Sequence, residues 1–409
     1  MAPGLDKLRH IVVLMLENRS FDHMLGSLGA VDPRIDGVTA GLSNPDTKGA
    51  MVPAQPLADF QGQLDPDPDH HFPAVDLQIF GGDTSPGRMA NMQGFVKSYF
   101  NQRRDVAHSQ KIMYYFAQNQ LPVLTTLALE FAVFNRWFAS IPGPTVCNRA
   151  FAHFGTSFGR VDMNPFYVGQ PIPSIYQRLI HATPKRTAKL YYYDSTSSTL
   201  EVVNLLQNQP ELFGTYRQFL TDCKKGTLPD YSFIEPNYND HDSGGGEELA
   251  NDQHPDHNVQ AGELYIASVY NAIKQNPALW ESTALLVTYD EHGGIYDHVV
   301  PPACPPDQFT ASANATGTGR EFKFDRLGVR VPAILISPWV PKGTVVNHVF
   351  DHASIPATIT KFFIGDFAQQ SSREKNADLF IEPKGAAVDP ARNLLSLDVM
   401  RNDCPDFGL

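Results

Sequence analysis

The feature that most constrains the fold is an unbroken apolar run near the amino terminus, Ile11–Leu16, which stops abruptly at Glu17 and Asn18. Two further segments of the same character follow, at Ala284–Asp290 and Val331–Trp339. Near-continuous apolar runs of this length are typical of strands covered on both faces, as in parallel sheets flanked by helices. The sequence therefore predicts an α/β fold built on a central, mostly parallel sheet flanked by helices.

Segments with helical spacing lie between these strands. Apolar residues recur at three- and four-residue intervals in Leu121–Phe138 and Glu263–Gln275, which predicts two helices. Long stretches rich in Pro, Gly, Asp and Asn connect the elements, and loops of such length are uncommon in a compact domain unless they are functional. We interpret residues 1–409 as a single domain whose long loops form a wall over the strand ends, at residues 36–91, 159–183, 236–259 and 301–320.

Composition narrows the classes of function. The chain has 409 residues and a formal net charge of -12, so it lacks the electrostatic footprint of a nucleic-acid-binding protein. The same charge disfavours tight docking on anionic membranes, although a local patch can escape a global count. We therefore expect no nucleic-acid partner, no protein partner and at most peripheral contact with a membrane.

Targeting signals and cysteines give further limits. No segment approaches the ~20 apolar residues that span a bilayer, and the apolar run before Glu17 is shorter than the core of a signal peptide. We expect a cytoplasmic protein, or a secreted one if a leader has been removed. The cysteines form no C-x-x-C pair, which favours free thiols over a zinc site and leaves one disulfide open; they are Cys147, Cys223, Cys304 and Cys404.

Oxygen-bearing side chains follow the first two predicted strands at the point where each strand ends. Ligands of open α/β sheets bind outside the carboxyl ends of the strands, so we expect these side chains to share one site. Carboxylate and amide oxygens suit Mg²⁺, Ca²⁺ or Mn²⁺ better than zinc. The predicted ligands of this divalent metal ion are Glu17, Asn18, Asp290 and Glu291. The alternative is two separate loops of hydrogen-bonded polar groups.

A Pro-Gly-Pro turn at residues 142–144 delivers Thr145 to the predicted start of a helix. A threonine in that place is commonly an N-cap, but a helix amino terminus also offers free N–H groups and a positive dipole end to a phosphate. Near a divalent metal ion the hydroxyl could ionise and attack phosphorus. Asn148 and Arg149 lie one turn further on, where they could bond phosphoryl oxygens. Cys147 is expected to pack under the turn.

Histidines concentrate in the long loops that would rim the strand ends. Phosphoryl transfer needs groups that stabilise charge on the phosphoryl oxygens and a proton donor for the leaving alkoxide. A structural role is the alternative for any single histidine, whereas their concentration in these loops favours a functional one. The histidines concerned are His70, His71, His254, His257, His298 and His352.

With these residues in view, the chain resembles the phosphoesterase family of phospholipases C and related acid phosphatases, and within it the non-specific phospholipases C. The similarity runs from VVLMLENRSFDHMLG through DPDPDHHF, IPGPTVCNRAFAHFGTS, HPDHNV, TYDEHGGIYDHV and DHASIPATI to RNDCPDFGL. It therefore covers essentially the whole chain. The combination of ENRSFDH with YDEHGG is highly specific.

The resemblance implies a core similar to that of the alkaline phosphatase superfamily, with a metal at the sheet edge. It makes Thr145 the nucleophile and assigns the metal to the four oxygen-bearing residues at the strand ends. His70 and His254 match histidines that contact the phosphoryl group. His257 and His298 match family motifs as well.

The implied activity is metal-dependent phosphodiester hydrolysis of phospholipase C type. A glycerophospholipid would be cleaved to diacylglycerol and a phosphorylated head group through a phosphothreonine intermediate, with His254 as the first choice of proton donor. An acid phosphatase that acts on phosphomonoesters with the same residues is the alternative, because the chemistry at phosphorus is almost shared. A metal-dependent binding protein without catalysis is a second alternative, and the presence of Thr145 beside a full metal set argues against it.

Overall fold

The computed structural model describes residues 3–164, 170–193, 209–242, 247–384 and 392–408. The strands, in chain order β1 to β14, are His10–Leu16, Ser43–Pro45, Met51–Pro53, Ala132–Phe134, Trp137–Phe138, Ala188–Tyr192, Phe213–Thr215, Tyr231–Ile234, His241–Asp242, Glu247–Glu248, Thr283–Tyr289, Ala333–Ile336, Thr344–Val346 and Phe350–Asp351. The helices, α1 to α13, are Pro3–Lys7, Phe21–Leu25, Phe72–Phe80, Phe95–Arg103, Val106–Ser109, Pro122–Glu130, Thr145–Phe154, Ile175–Ile180, Tyr216–Lys225, Val259–Lys274, Pro277–Glu281, Ser354–Phe363 and Ser372–Lys375.

An eight-stranded sheet forms the centre of the molecule, with the strand order β13-β4-β12-β11-β1-β8-β6-β7. Strand β12 runs antiparallel to both of its neighbours, while the other neighbouring strands pair in parallel. Strands β1 and β11 lie side by side in the middle and are almost wholly buried. The predicted α/β class with a mostly parallel central sheet flanked by helices is confirmed.

The pairing of β1 with β11 fixes the position of the predicted site. Ile11 pairs with Ala284 and Leu16 with Tyr289, so both strands end at the same level. The residues that follow, Glu17 and Asp290, therefore emerge next to one another at the carboxyl edge. The hydrogen bond from Asp290 N to the carbonyl oxygen of Leu16 continues the ladder one step beyond the strands, at 3.2 Å.

The third predicted strand, Val331–Trp339, differs from the prediction in length and direction. Only Ala333–Ile336 is a strand, and it runs antiparallel to β11. Pro332 and Pro338 lie on either side, and proline has no N–H to donate to a ladder. Because this strand is reversed, its carboxyl end lies at the sheet edge opposite Glu17.

The predicted helix Leu121–Phe138 is also shorter than expected. It ends at Glu130, and the remaining residues form β4 and β5. Those residues are buried and include a Val and three aromatic side chains, which favour a pleated strand over a helix. The other predicted helix, Glu263–Gln275, is confirmed, and it begins earlier, at Val259, where the Asn258 side chain accepts from the N–H groups of the first turn.

The long loops contain more regular structure than the sequence predicted. Residues 36–91 include the β2–β3 pair and α3, residues 159–183 include α8, and residues 236–259 include the β9–β10 pair. Residues 165–169 and 243–246 lie outside the described part of the chain. All four cysteines are free thiols, as favoured by their spacing. Within the described residues, no helix has the length and apolar character of a membrane span.

Candidate active site

The two strand ends meet as predicted, and the carboxylate of Asp290 accepts hydrogen bonds from a backbone N–H of each. Asn18 N donates to Asp290 Oδ1 at 3.1 Å, and Glu291 N donates to the same oxygen at 2.7 Å. Asn18 adopts a left-handed backbone conformation with φ of 57°, which Asn tolerates better than most side chains. The predicted metal ligands are all buried at the carboxyl edge of the central strands.

Glycine at position 293 permits this close approach of the two strand ends. Gly293 has φ of 63°, and a Cβ placed on it would lie 2.1 Å from the carbonyl oxygen of Asn18. Its N–H donates to Glu291 Oε2 at 2.8 Å. The sharp turn after β11 thus both contacts the turn after β1 and holds the Glu291 carboxylate in place.

Thr145 lies at the amino terminus of α7, facing this cluster. Its hydroxyl donates to Asn18 Oδ1 at 3.4 Å, and the residue is 5% exposed. The N-cap of α7 is Pro144, which offers no side-chain capping bond, so Thr145 is the first helical residue and does not serve as the N-cap. The Thr145 hydroxyl is therefore directed at Asn18, one of the predicted metal ligands.

Asn148 has different contacts from those predicted. Its side-chain amide donates to the carbonyl of Gly143 at 2.7 Å, and its Oδ1 accepts from Ile141 N at 3.1 Å. The residue is fully buried. Asn148 braces the Pro-Gly-Pro turn that presents Thr145, and its contact with phosphoryl oxygens stays a prediction.

Arg149 contacts carboxylates, and its contact with phosphoryl oxygens stays a prediction. Its guanidinium is completely buried and lies 3.3 Å from Glu17, 3.2 Å from Asp290 and 3.6 Å from Glu235. Arg149 therefore holds three carboxylates together beneath the site. Glu235 was not among the predicted site residues, yet it follows the short apolar strand β8 as Glu17 follows β1, and that repeated pattern is visible in the sequence.

The chemistry of this cluster fits a hard divalent cation. Three buried carboxylates, from Glu17, Glu235 and Asp290, contact the Arg149 guanidinium, and Glu291 adds a fourth buried carboxylate beside Asp290. Glu291 Oε1 is buried and accepts no hydrogen bond from any residue that the structure describes. Burial raises the pKa of Glu17 and of Asp290 above their ordinary values, against the opposing effect of Arg149. An additional positive charge at the oxygen donors would stabilise their ionised forms.

His70 points one ring nitrogen into the cluster. Its Nδ1 bonds the carbonyl of Pro68 at 2.8 Å, which leaves Nε2 at 3.4 Å from Asn18 Nδ2 and 4.0 Å from Glu291 Oε1. Burial lowers the pKa of His70, but the Glu291 and Asp67 carboxylates outweigh it, and the net shift is upward. His71, by contrast, is exposed and bonds Asp69.

His254 lies near His70, with ring centroids 6.3 Å apart. Its Nδ1 bonds the carboxylate of Asp256, and its Nε2 lies 3.7 Å from Asp67 Oδ2. Burial lowers the pKa of His254, but the bond to Asp256 and the charge of Asp67 raise it to about 10. The imidazole is therefore protonated near neutral pH.

His257 belongs to the same loop and bonds a second aspartate. Its Nδ1 lies 2.8 Å from Asp252 Oδ1, and the backbone carbonyl of Asp252 accepts from Glu17 N at 2.8 Å. Asp67, Asp252 and Asp256 were not among the predicted site residues. The signal was present, because each lies within five residues of a selected histidine in DPDPDHH or NDQHPDH.

His298 lies in a separate network. Its Nδ1 is 2.7 Å from Asp22 and its Nε2 is 3.2 Å from Asp36, while Arg330 bonds Asp22 and Asp297. The recorded contacts of His298 thus tie it to this network and not to Thr145.

His352 contacts the backbone of Asp290, one of the predicted metal ligands. Trp137 Nε1 donates to His352 Nδ1 at 3.3 Å, so Nε2 carries the proton that is donated to the carbonyl oxygen of Asp290 at 2.5 Å. Burial lowers the pKa of His352 to about 4, and the ring is neutral. His352 therefore fixes the backbone at the end of β11.

Three groups of His and Asp within the described residues bring ligand atoms to within 4.8 Å of one another. Two of them, Asp67–His70–His254 and His254–Asp256–His257, adjoin the site. The third is Asp22–Asp297–His298, whose two carboxylates are already bonded by Arg330. Glu17, Asp290 and Glu291, the carboxylates of the predicted metal set, do not form such a group.

Comparison with known proteins identifies the family of the chain. Residues 8–364 match the model of the phosphoesterase family. Non-specific phospholipase C6 of Arabidopsis thaliana is 40% identical over 374 residues, covering 87% of this chain and 68% of the relative. Non-specific phospholipase C1 of the same plant is 38% identical over 381 residues, covering 87% and 67%. Among solved structures, an alkaline phosphatase superfamily protein from Vibrio parahaemolyticus aligns with a TM-score of 0.37 at 12% identity, covering 63% of each chain. The chain therefore belongs to the phosphoesterase family and is a hydrolase of phosphoric esters.

Proposed function

We propose that this protein is a metal-dependent phospholipase C that cleaves glycerophospholipids to diacylglycerol and a phosphorylated head group. The observation that carries the proposal is the position of the Thr145 hydroxyl, 3.4 Å from Asn18 Oδ1 at the amino terminus of α7. The similarity to two non-specific phospholipases C supports the choice of substrate.

The oxygen donors Glu17, Asn18, Asp290 and Glu291 would hold the divalent cation, which when bound supplies Lewis acidity and lowers the pKa of the nearby hydroxyl. The residues of the chain supply the rest. The first N–H groups of α7 face the phosphoryl group together with the positive end of the helix dipole. His70 Nε2 is directed at the same space.

Before the first step the Thr145 hydroxyl loses its proton to solvent; Thr145 Oγ1 then attacks phosphorus, a P–Oγ bond forms and the bond to the glycerol oxygen breaks. Protonated His254 gives its proton to that oxygen, so diacylglycerol leaves as a neutral alcohol. Asp256 keeps His254 protonated and oriented through its bond to Nδ1. In the second step, water attacks phosphorus, His254 accepts a proton from the water, and the P–Oγ bond breaks to release the phosphorylated head group.

A substrate panel and two substitutions test this function. Purified protein is offered phosphatidylcholine, phosphatidylethanolamine and p-nitrophenyl phosphate, and we expect diacylglycerol from the lipids. Phosphate release from the monoester alone would favour an acid phosphatase. Thr145→Ala should abolish hydrolysis, while the exposed Thr221→Ala on α9 should have no effect.

The covalent intermediate has its own measurement. Acid quenching during turnover followed by peptide mass spectrometry should find phosphate on the peptide that contains Thr145. Full lipid hydrolysis by Thr145→Ala would contradict the mechanism.

A further inference from the structure

A cavity of about 500 Å³ lies between two of the long loops, apart from the residues assigned to the reaction. Its walls come from α3, from residues 85–88 and from residues 318–326. Phe72 in its wall packs in one apolar cluster with Ile141 and Cys147, on either side of the turn that leads to Thr145. The cavity therefore neighbours the nucleophile's turn, and none of its described lining residues takes part in the proposed mechanism.

Two arginines are built firmly into the wall of this cavity. Arg88 lies 3.8 Å from the ring centroid of Phe80, and Arg326 lies 4.9 Å from the same ring and 5.3 Å from that of Phe322. Both bond one carboxylate, Asp76, at 2.5 Å for Arg88 Nη1 and 3.2 Å for Arg326 Nη2. Because one carboxylate balances two guanidinium groups, one positive charge remains.

One of these arginines has a donor left over. Arg326 Nε is buried and finds no acceptor among the residues that the structure describes. Arg320 and Lys323 add two further cations to the lining, and the exposed Glu321 and Asp325 add two carboxylates. Four cations thus face three carboxylates, a local positive excess in a chain whose net charge is -12.

We propose that this cavity is a second binding site for a phosphate group, with Arg326, Arg320 and Lys323 as its donors. A buried N–H without an acceptor is costly unless a ligand supplies one, and guanidinium groups match the geometry of phosphate oxygens. The aromatic side chains of Phe72 and Phe322 would pack against the apolar part of the ligand. The phosphate can belong to the head group of an anionic phospholipid or to a soluble phosphate ester.

Arginine footprinting tests the site directly. Phenylglyoxal modification of the native protein, mapped by peptide mass spectrometry, is measured with and without inorganic phosphate. We expect phosphate to slow the modification of Arg320 roughly tenfold, the effect of about one charge-assisted hydrogen bond. The exposed Arg217 on α9 serves as the control and should react at the same rate in both samples.

Vesicle binding distinguishes the two sources of phosphate. Sedimentation with phosphatidylcholine vesicles, with or without phosphatidate, compares native protein with the R320Q/K323Q variant and with the matched variant K224Q/K225Q. The site is assigned to an anionic lipid head group if R320Q/K323Q binds the vesicles with phosphatidate more weakly than the other two proteins do, while all three bind the vesicles without phosphatidate equally. Protection of Arg320 with equal vesicle binding by all three proteins assigns it to a soluble ester.

Absence of both effects overturns the proposal. If the double variant is unstable, the vesicle comparison is repeated with the single variant Lys323→Gln, which changes an exposed side chain. The proposal does not depend on Thr145 as nucleophile, so protection of Arg320 should persist in Thr145→Ala.

Discussion

At the scale of single residues, two opposing effects act on the pKa of Glu17, the charge of Arg149 and burial. Its carboxylate is 3.3 Å from Arg149, yet burial raises its pKa above the ordinary value. We predict that Glu17→Gln keeps the fold, because the amide has nearly the same shape and Arg149 retains Asp290 and Glu235. Metal content and lipid hydrolysis should fall by more than the roughly 10- to 100-fold typical of residues that only support a metal ligand.

Metal content measured by mass spectrometry and thermal unfolding check this prediction together. The exposed Glu281, paired with Lys7 at 2.8 Å, is the matched control as Glu281→Gln. Unfolding of Glu17→Gln at ordinary temperature with unchanged metal affinity would assign Glu17 a structural role.

Asp256 allows a prediction about pH. Its bond to Nδ1 helps to raise the pKa of His254 to about 10, so the protonated form needed for the first step persists into alkaline solution. In Asp256→Asn the pKa of His254 should fall, and the alkaline limb of kcat should move to lower pH. The pH profile of lipid hydrolysis measures the shift, and the exposed Asp403→Asn is the control. An unmoved alkaline limb would contradict the proposed role of the pair.

The residues that sequence reasoning could predict are those that stand next to a recognisable strand. Glu17 and Asp290 follow apolar runs, and their meeting follows from parallel pairing in register. Asp67 and Asp256 follow no strand, and only their closeness in sequence to selected histidines marks them; which of them bond those histidines depends on how the loops fold over the strand ends. Asn148 shows what spacing along a helix leaves out, because the pattern does not reveal that the side-chain amide donates to backbone carbonyls of the Pro-Gly-Pro turn.

At the scale of elements, α6 is stabilised from outside its own sequence. Glu263 on α10 accepts from Val123 N at 2.7 Å and from Leu124 N at 3.1 Å, the first N–H groups of α6. We predict that Glu263→Ala destabilises the protein by about 1–3 kcal/mol, because buried N–H groups lose their acceptor. Glu263→Gln keeps one acceptor oxygen and should cost less.

The same carboxylate gives a pH dependence of the free energy of unfolding. Burial raises the pKa of Glu263 from 4.5 to about 7. Its contribution is therefore complete below pH 4.5 and is lost as the pH rises through about 7. Urea unfolding at pH 5 and pH 8 should show a smaller difference for Glu263→Gln than for the native protein, and equal differences would contradict this account.

The lengths and directions of predicted elements were wrong where tertiary packing decides the structure instead of the local sequence pattern. The segment after Glu130 keeps the apolar spacing of a helix, but its buried side chains complete the sheet as β4. The direction of β12 could not be predicted from the sequence either, because an apolar run has the same pattern in a parallel and in an antiparallel strand.

At the scale of the whole molecule, the network around His298 connects distant parts of the chain. Asp22 follows β1, Asp36 begins the first long loop, Asp297 follows β11, and Arg330 precedes β12. Burial lowers the pKa of His298, but the bond to Asp22 and the charge of Asp297 raise it from 6.5 to about 9. The stabilisation by protonated His298 is therefore complete below about pH 6.5 and is lost as the pH rises through about 9.

We predict that the melting temperature of the native protein falls between pH 7 and pH 9.5 more steeply than that of His298→Gln. Differential scanning calorimetry over this range measures both curves. Parallel curves would show that His298 does not contribute through its charge. The interpretation of residues 1–409 as one domain stays a prediction.

The reversed strand β12 has a practical consequence for handling the protein. Because its carboxyl end lies at the far edge of the sheet, the segment after it contacts the opposite end of the molecule, where Trp339 Nε1 donates to the carbonyl of Glu281 at 2.8 Å. Lys7, which is 55% exposed, pairs with Glu281 at that same end. Coupling the protein to a solid support through an amine at this position would orient the carboxyl edge, with Thr145, towards the solution and leave it open to a lipid suspension.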